Sequence, residues 1–175
     1  MTWRQLRQIL RVGIPTEPAP RLPAAAGTGE ETILAVHALS REILSVFGRA
    51  LAIRAVDAGS CNACELEMHA LTNPYYNIEG LGIKFVASPR HADLLLVTGP
   101  VAAHMEAALV RTFEAVPGPK RVVAIGRCAC DGGVFGESYA SRGRVANVIP
   151  VDVEVPGCPP PPVEILRGIL RAIRA

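Results

Sequence analysis

The sequence predicts an α/β fold in which a mostly parallel sheet is covered by helices on both faces. Short, continuously apolar runs, which are typical of buried parallel strands, alternate along the chain with segments of helical spacing. Half of the 175 residues are hydrophobic, so the chain can form a sizeable core. Only 19% are charged, which is low for a free-standing protein and indicates faces that partner subunits cover.

Five apolar runs predict the strands, and four segments of helical spacing predict the helices around them. The predicted strands are residues 51–56, 83–87, 94–98, 121–125 and 148–153. A capping-box pattern at residues 28–31 starts the first predicted helix, which ends near Gly48. Two further helices are predicted over residues 65–71 and 102–115. The last opens at residues 161–162, since proline suits a first helical turn.

Residues 1–29 are predicted to be an extension outside the α/β domain, which occupies residues 30–175. The extension begins with a short basic amphipathic segment, residues 3–12, and continues as a Pro-, Ala- and Gly-rich linker. The basic segment fits a solvated tail as well as docking to a membrane surface or a partner. We expect no membrane span and no secretory signal, and therefore a reducing compartment. The net charge of +2 is too small to indicate nucleic-acid binding.

Four cysteines stand out by their spacing and their surroundings. Cys61 and Cys64 form a C-x2-C pair, whereas Cys128 and Cys158 are single and distant, and each lies beside glycine or proline. Each of the three cysteine-bearing segments follows a predicted strand. Because ligand loops of parallel α/β sheets gather at the carboxyl ends of the strands, we expect one shared site at one end of the sheet.

Several chemistries fit four converging cysteines. A [4Fe–4S] cluster needs four thiolates, one for each iron, and nearby glycines let the backbone approach such a bulky core. A C-x2-C pair also fits structural zinc or a dithiol redox pair, so zinc stays open at this point. A reducing compartment disfavours disulfides. The fifth cysteine, Cys130, is expected to be a free thiol, with exchange of its role with Cys128 as the alternative.

Seven motifs occur in a fixed order along the chain. They are GSCNACELE at residues 59–67, ASPRHAD at 87–93, TGPV at 98–101, GRC at 126–128, DGG at 131–133, IPVDV at 149–153 and PGCPP at 156–160. Through these motifs residues 50–172 resemble the small, cluster-bearing subunit family shared by respiratory complex I, where it is the 20 kDa B-type subunit, and group 4 membrane-bound [NiFe] hydrogenases, including formate hydrogenlyase.

The resemblance implies a flavodoxin-like α/β fold and one [4Fe–4S] cluster with Cys61, Cys64, Cys128 and Cys158 as ligands. It implies an electron relay without catalysis of its own, next to a [NiFe] large subunit. The implied partners are that subunit, a ferredoxin-like subunit with two [4Fe–4S] clusters and membrane-arm subunits. The implied location is peripheral, on the cytoplasmic side of the cell membrane.

The first ligand pair separates the two branches of this family. Complex I subunits resemble one another in having two adjacent cysteines there, whereas the hydrogenase branch has C-x-x-C. Asn62 and Ala63 separate Cys61 from Cys64, so the sequence favours a hydrogenase subunit, with a complex I-type quinone reductase subunit as the alternative. A stand-alone FMN carrier is disfavoured, because the cysteine loop occupies the place of a phosphate-binding loop after the first strand.

Overall fold

In the computed structural model of the chain, the structure describes residues 50–174. The predicted extension over residues 1–29 and the predicted helix that ends near Gly48 lie outside the described residues. Both stay predictions, as does the boundary between the extension and the α/β domain.

Within residues 50–174, five strands form one sheet, and every pairing in it is parallel. The strands are β1 (Leu51–Asp57), β2 (Ile83–Phe85), β3 (Leu94–Thr98), β4 (Arg121–Ile125) and β5 (Val153–Val155). Their order across the sheet is β2-β1-β3-β4-β5. This is the flavodoxin-like order of doubly wound sheets, so the predicted fold class is confirmed.

Four α-helices surround the sheet in the described part of the chain. They are α1 (Ala63–Ala70), α2 (Glu106–Ala115), α3 (Arg127–Asp131) and α4 (Pro162–Arg174). Three 3-10 turns, Ile78–Leu81, Pro89–His91 and Val145–Asn147, complete the connections. Helix α4 opens at Pro162, as the proline pair predicted, and buries Ile165, Ile169 and Ile173 on one side.

The two faces of the sheet bury separate apolar clusters. Alternate residues of a strand point to opposite faces. Leu51 and Ile53 of β1 therefore join the cluster that includes residues of α1 and α4, while Val56 joins the cluster that includes residues of α2 and α3. The result is a three-layer arrangement in which the carboxyl ends of the strands stay free to carry loops.

Strand β5 was predicted wrongly as residues 148–153. The structure places it at Val153–Val155, because Val148 and Ile149 close the preceding 3-10 turn through bonds from their N–H groups to the Val145 carbonyl. The Asp152 side chain accepts a hydrogen bond from the Val122 N–H at 2.7 Å, so pairing with β4 starts one residue later.

Helix α2 begins at Glu106, four residues after the predicted start. The Ala102 and Ala103 N–H groups donate to the carbonyls of Ala58 and Ala140, which anchors this stretch to the neighbouring loops instead of to a helix. Strand β2 also ends earlier than predicted, at Phe85. No helix among residues 50–174 is long and apolar enough to cross a bilayer.

Candidate metal centre

All four predicted ligand cysteines lie at or near the carboxyl edge of the sheet. Cys61 follows β1, Cys128 follows β4 and Cys158 follows β5. The sequence placed Cys64 and Cys128 in loops, but they lie in the first turns of α1 and α3. The segments are tied together by the backbone: the Arg127 N–H donates to the Gly157 carbonyl at 2.7 Å.

Two side-chain turns set the path of the loop that carries Cys61. The Asp57 carboxylate oxygen Oδ1 accepts hydrogen bonds from the N–H groups of Gly59 at 2.8 Å and Ser60 at 2.7 Å. The Ser60 hydroxyl then accepts one from the Asn62 N–H at 3.0 Å. Asn62 has a positive φ of 71°, which asparagine tolerates better than most residues, and α1 begins at the next residue.

Two glycines lie against the sulfur atoms of two of the cysteines. A β-carbon built on Gly126 would lie 2.5 Å from Cys64 Sγ, and one built on Gly133 would lie 2.7 Å from Cys128 Sγ. Both glycines have positive φ, 88° and 58°. The glycines therefore let two chain segments pass directly beside the thiols, which a larger residue at either position would displace.

The thiols affect one another electrostatically. Burial, then the charge of Glu65 and then the thiolates of the other three cysteines together raise the pKa of Cys64 to about 12. Burial, followed by the Cys158 and Cys61 thiolates, also raises the pKa of Cys128. These raised pKa values mean that a bound cation is needed for the four thiols to be deprotonated together, so this donor set fits a metal site.

The spacing of these donors bears on the nature of the metal. Among residues 50–174, no three His, Cys, Asp or Glu side chains are grouped closely enough to hold one metal ion. A tetrahedral zinc site places its thiolates about 2.3 Å from a single ion. A [4Fe–4S] cluster spreads its four thiolates over separate irons, so it does not need three of them within reach of one ion.

Cys130 has different surroundings from the other cysteines. Its thiol is half-buried and lies 3.7 Å from the Ala124 carbonyl oxygen, against the cluster formed with α2 and α3. Burial raises its pKa to about 11, with the nearby Glu154 charge as the next cause. These contacts support its interpretation as a free packing thiol.

Beside the cysteines lies a polar arrangement whose contacts the sequence did not predict. The buried Thr98 hydroxyl hydrogen-bonds with the Glu65 carboxylate oxygen Oε1 and lies 3.3 Å from the Val56 carbonyl. Glu65 Oε2 and Arg54 Nε are buried and have no hydrogen-bond partner among the described residues. Both residues line a cavity of about 360 Å³ beside α1. The signals in the sequence were Glu65 directly after the cysteine pair and an arginine within the apolar run of β1.

Comparison with known proteins gives a family and several relatives. The family described as NADH ubiquinone oxidoreductase, 20 kDa subunit, matches residues 61–172. The chain is 45% identical over 132 residues to a probable membrane-bound hydrogenase subunit, mbhJ, of Pyrococcus furiosus, which covers 75% of this chain and 79% of the relative. It is 39% identical over 146 residues to formate hydrogenlyase subunit 7 of Escherichia coli, which covers 83% of this chain but 56% of the relative.

A solved structure shows the same fold with related sequence. It is that of the membrane-bound sulfane sulfur reductase, an archaeal respiratory membrane complex, and the matching chain is 33% identical with a TM-score of 0.64. The match covers 75% of this chain and 73% of the other.

Proposed function

Because the chain belongs to the family of the NADH ubiquinone oxidoreductase 20 kDa subunit, we propose that it is the electron-transfer subunit of a membrane-associated hydrogenase complex. The observation that carries this proposal is the gathering of Cys61, Cys64, Cys128 and Cys158 at one edge of the sheet. The separation of Cys61 from Cys64 by two residues, together with relatives named as hydrogenase and formate hydrogenlyase subunits, favours the hydrogenase branch.

The four cysteines would hold one [4Fe–4S] cluster. When bound, the cluster supplies reversible one-electron storage between a [NiFe] large subunit and the clusters of a ferredoxin-like subunit. The chain's own residues build the site: Asp57 fixes the loop before α1, and Gly126 and Gly133 leave room for the sulfur atoms. Chemistry on H2 would belong to the large subunit.

This function requires partner subunits. Cys61 and Cys158 are exposed in the chain alone, and water at a cluster alters its potential and its stability. A large subunit and a ferredoxin-like subunit would cover this edge, and membrane-arm subunits would hold the assembly peripherally on the cytoplasmic side of the cell membrane. Leu66 of α1 is 62% exposed next to the cysteine pair, which is consistent with such coverage.

The ligand assignment is tested in the whole complex, purified anaerobically, with Cys158→Ser beside Cys130→Ser as the matched control. Wild type and Cys130→Ser are expected to contain iron and acid-labile sulfide in equal amounts and to show the same EPR signal when reduced. Cys158→Ser is expected to lose or alter the signal of this cluster. An unchanged signal in Cys158→Ser, or zinc without labile sulfide in the wild-type subunit, would overturn the assignment.

A complex I-type subunit of a quinone reductase is the second candidate, because the family itself includes the 20 kDa subunit of NADH ubiquinone oxidoreductase. The partner distinguishes the two. A hydrogenase complex is expected to contain nickel in its large subunit and to reduce the cluster under H2. A complex without nickel that reduces the cluster only with NADH would favour the second candidate.

A further inference from the structure

One edge of β1 is open beside the metal centre. Strand β2 pairs with β1 only as far as Phe85, opposite Ile53, and the Val86 N–H donates the last bond to the Ile53 carbonyl at 2.8 Å. Strand β1 continues for four more residues to Asp57. Among residues 50–174, no strand pairs with this remaining edge, which leaves backbone groups available for an added strand.

The cavity of about 360 Å³ lies at this open edge. Ala55 of β1, Phe85 and Val86 at the end of β2, and Met68 and His69 of α1 contribute to its walls. Most of this wall is apolar, as the walls of ligand-binding sites usually are. Glu65, which directly follows the predicted ligand Cys64, also lines the cavity, and the cavity therefore adjoins the metal centre.

Two buried polar atoms in the cavity wall have no hydrogen-bond partner among the described residues, and one is a donor and the other an acceptor. Arg54 Nε can only donate a hydrogen bond, and Glu65 Oε2, when ionised, can only accept one; neither has a partner among the described residues. The Thr98 hydroxyl holds the other Glu65 oxygen, so the carboxylate is fixed in position. A group that offers one acceptor and one donor would satisfy both atoms, and a peptide unit offers both.

We propose that an extended polypeptide segment of the partner subunit that covers the metal centre occupies this cavity and adds a short strand to the open edge of β1. Its carbonyl groups accept from Arg54, and its N–H groups donate to Glu65. The strand edge favours a peptide over a small molecule, because only a regular backbone matches consecutive strand groups. This inference rests on the proposed function, since that function supplies the partner beside the cluster.

Photo-cross-linking in the whole purified complex tests the proposal. Benzoylphenylalanine replaces Phe85 in the cavity wall or, in the matched control, Phe113 of α2, which is also partly buried but packs on the other face of the sheet. A second probe at Thr72, an exposed residue of the cavity wall, guards against misfolding of the first variant. The cross-linked peptides are identified by mass spectrometry.

The probes at positions 85 and 72 are expected to cross-link to one continuous segment of a partner subunit. The control probe at position 113 is expected to give no cross-link to that segment. Cross-links to residues 1–49 of this chain, to a bound quinone, or to no partner segment at all would overturn the proposal. EPR of the same samples separates this outcome from failure of the proposed function. A normal cluster signal with no partner cross-link refutes only the inference, whereas no cluster in wild type refutes the function.

Discussion

The Sγ atom of Cys64 lies 2.5 Å from the place that a β-carbon would take at Gly126. The two residues belong to segments that follow different strands, β1 and β4, so this contact joins two of the three cysteine-bearing segments. Gly126 also has a φ of 88° and a ψ of 157°, a region that is almost restricted to glycine and costs other residues about 1–3 kcal/mol.

We therefore expect Gly126→Ala to displace the Cys64 thiol. The subunit should then retain only a small part of its wild-type iron and labile sulfide content. Gly136→Ala is the control, because Gly136 also has positive φ but a β-carbon there would meet no atom within 4 Å. Iron and sulfide analysis of this subunit, separated anaerobically from the purified complex, measures both. Full cluster content in Gly126→Ala would show that the contact does not constrain the site.

Cys130 is expected to stay unreactive in the folded complex. Burial raises its pKa to about 11, so at about pH 8 roughly one thousandth of it is thiolate, against about a tenth of an ordinary thiol. Alkylation by iodoacetamide should therefore be roughly a hundredfold slower than that of N-acetylcysteine and should accelerate as the pH rises toward that pKa. Mass spectrometry follows the reaction, and the denatured chain serves as the positive control. Rapid alkylation in the native complex would contradict the packing role.

The sequence predicted the parts of the fold whose signals are local. The limits of β3 and β4 agree with prediction to the residue, because each has four consecutive apolar residues with one polar residue at an end, between polar and glycine neighbours. The cysteine-bearing segments were expected at one edge of the sheet, because each directly follows a strand and all the strands are parallel.

The errors arise where neighbouring segments compete for the same backbone groups. Val148 and Ile149 are apolar enough for a strand, but the 3-10 turn uses their N–H groups. Helix α3 has only five residues, fewer than two turns, so no helical spacing could reveal it. The approach of Arg54 to the cavity beside Glu65 depends on β2 ending at Phe85, and the sequence predicted β2 to continue.

Gly168 lies in the middle of α4, where alanine would ordinarily stabilise the helix by about 1 kcal/mol. A β-carbon there would lie 2.2 Å from Val155 Cγ2 of β5, a stiff side chain in the core. We expect Gly168→Ala to destabilise the subunit by about 1–3 kcal/mol, and Val155→Ala to recover part of this loss in the double variant. The effect is measured by heating the complex to a series of temperatures and following at each one how much of this subunit a protease degrades. Greater stability of the single variant would contradict the close packing of α4 on β5.

Asp57 is expected to position the Cys61 loop, because its Oδ1 atom accepts the N–H groups of both Gly59 and Ser60. Asp57→Ala removes this acceptor. The loss of two exposed hydrogen bonds should destabilise the ordered conformation of the loop by about 1–2 kcal/mol. Asp57→Asn retains an oxygen at the same place and should behave nearly as wild type.

The rate at which an iron chelator bleaches the visible absorption of the oxidised cluster distinguishes the variants. We expect faster bleaching in Asp57→Ala and nearly the wild-type rate in Asp57→Asn. Equal rates in all three proteins would show that the turn does not hold the ligand loop, and equally fast bleaching in both variants would assign the effect to the charge of Asp57 instead of its hydrogen bonds.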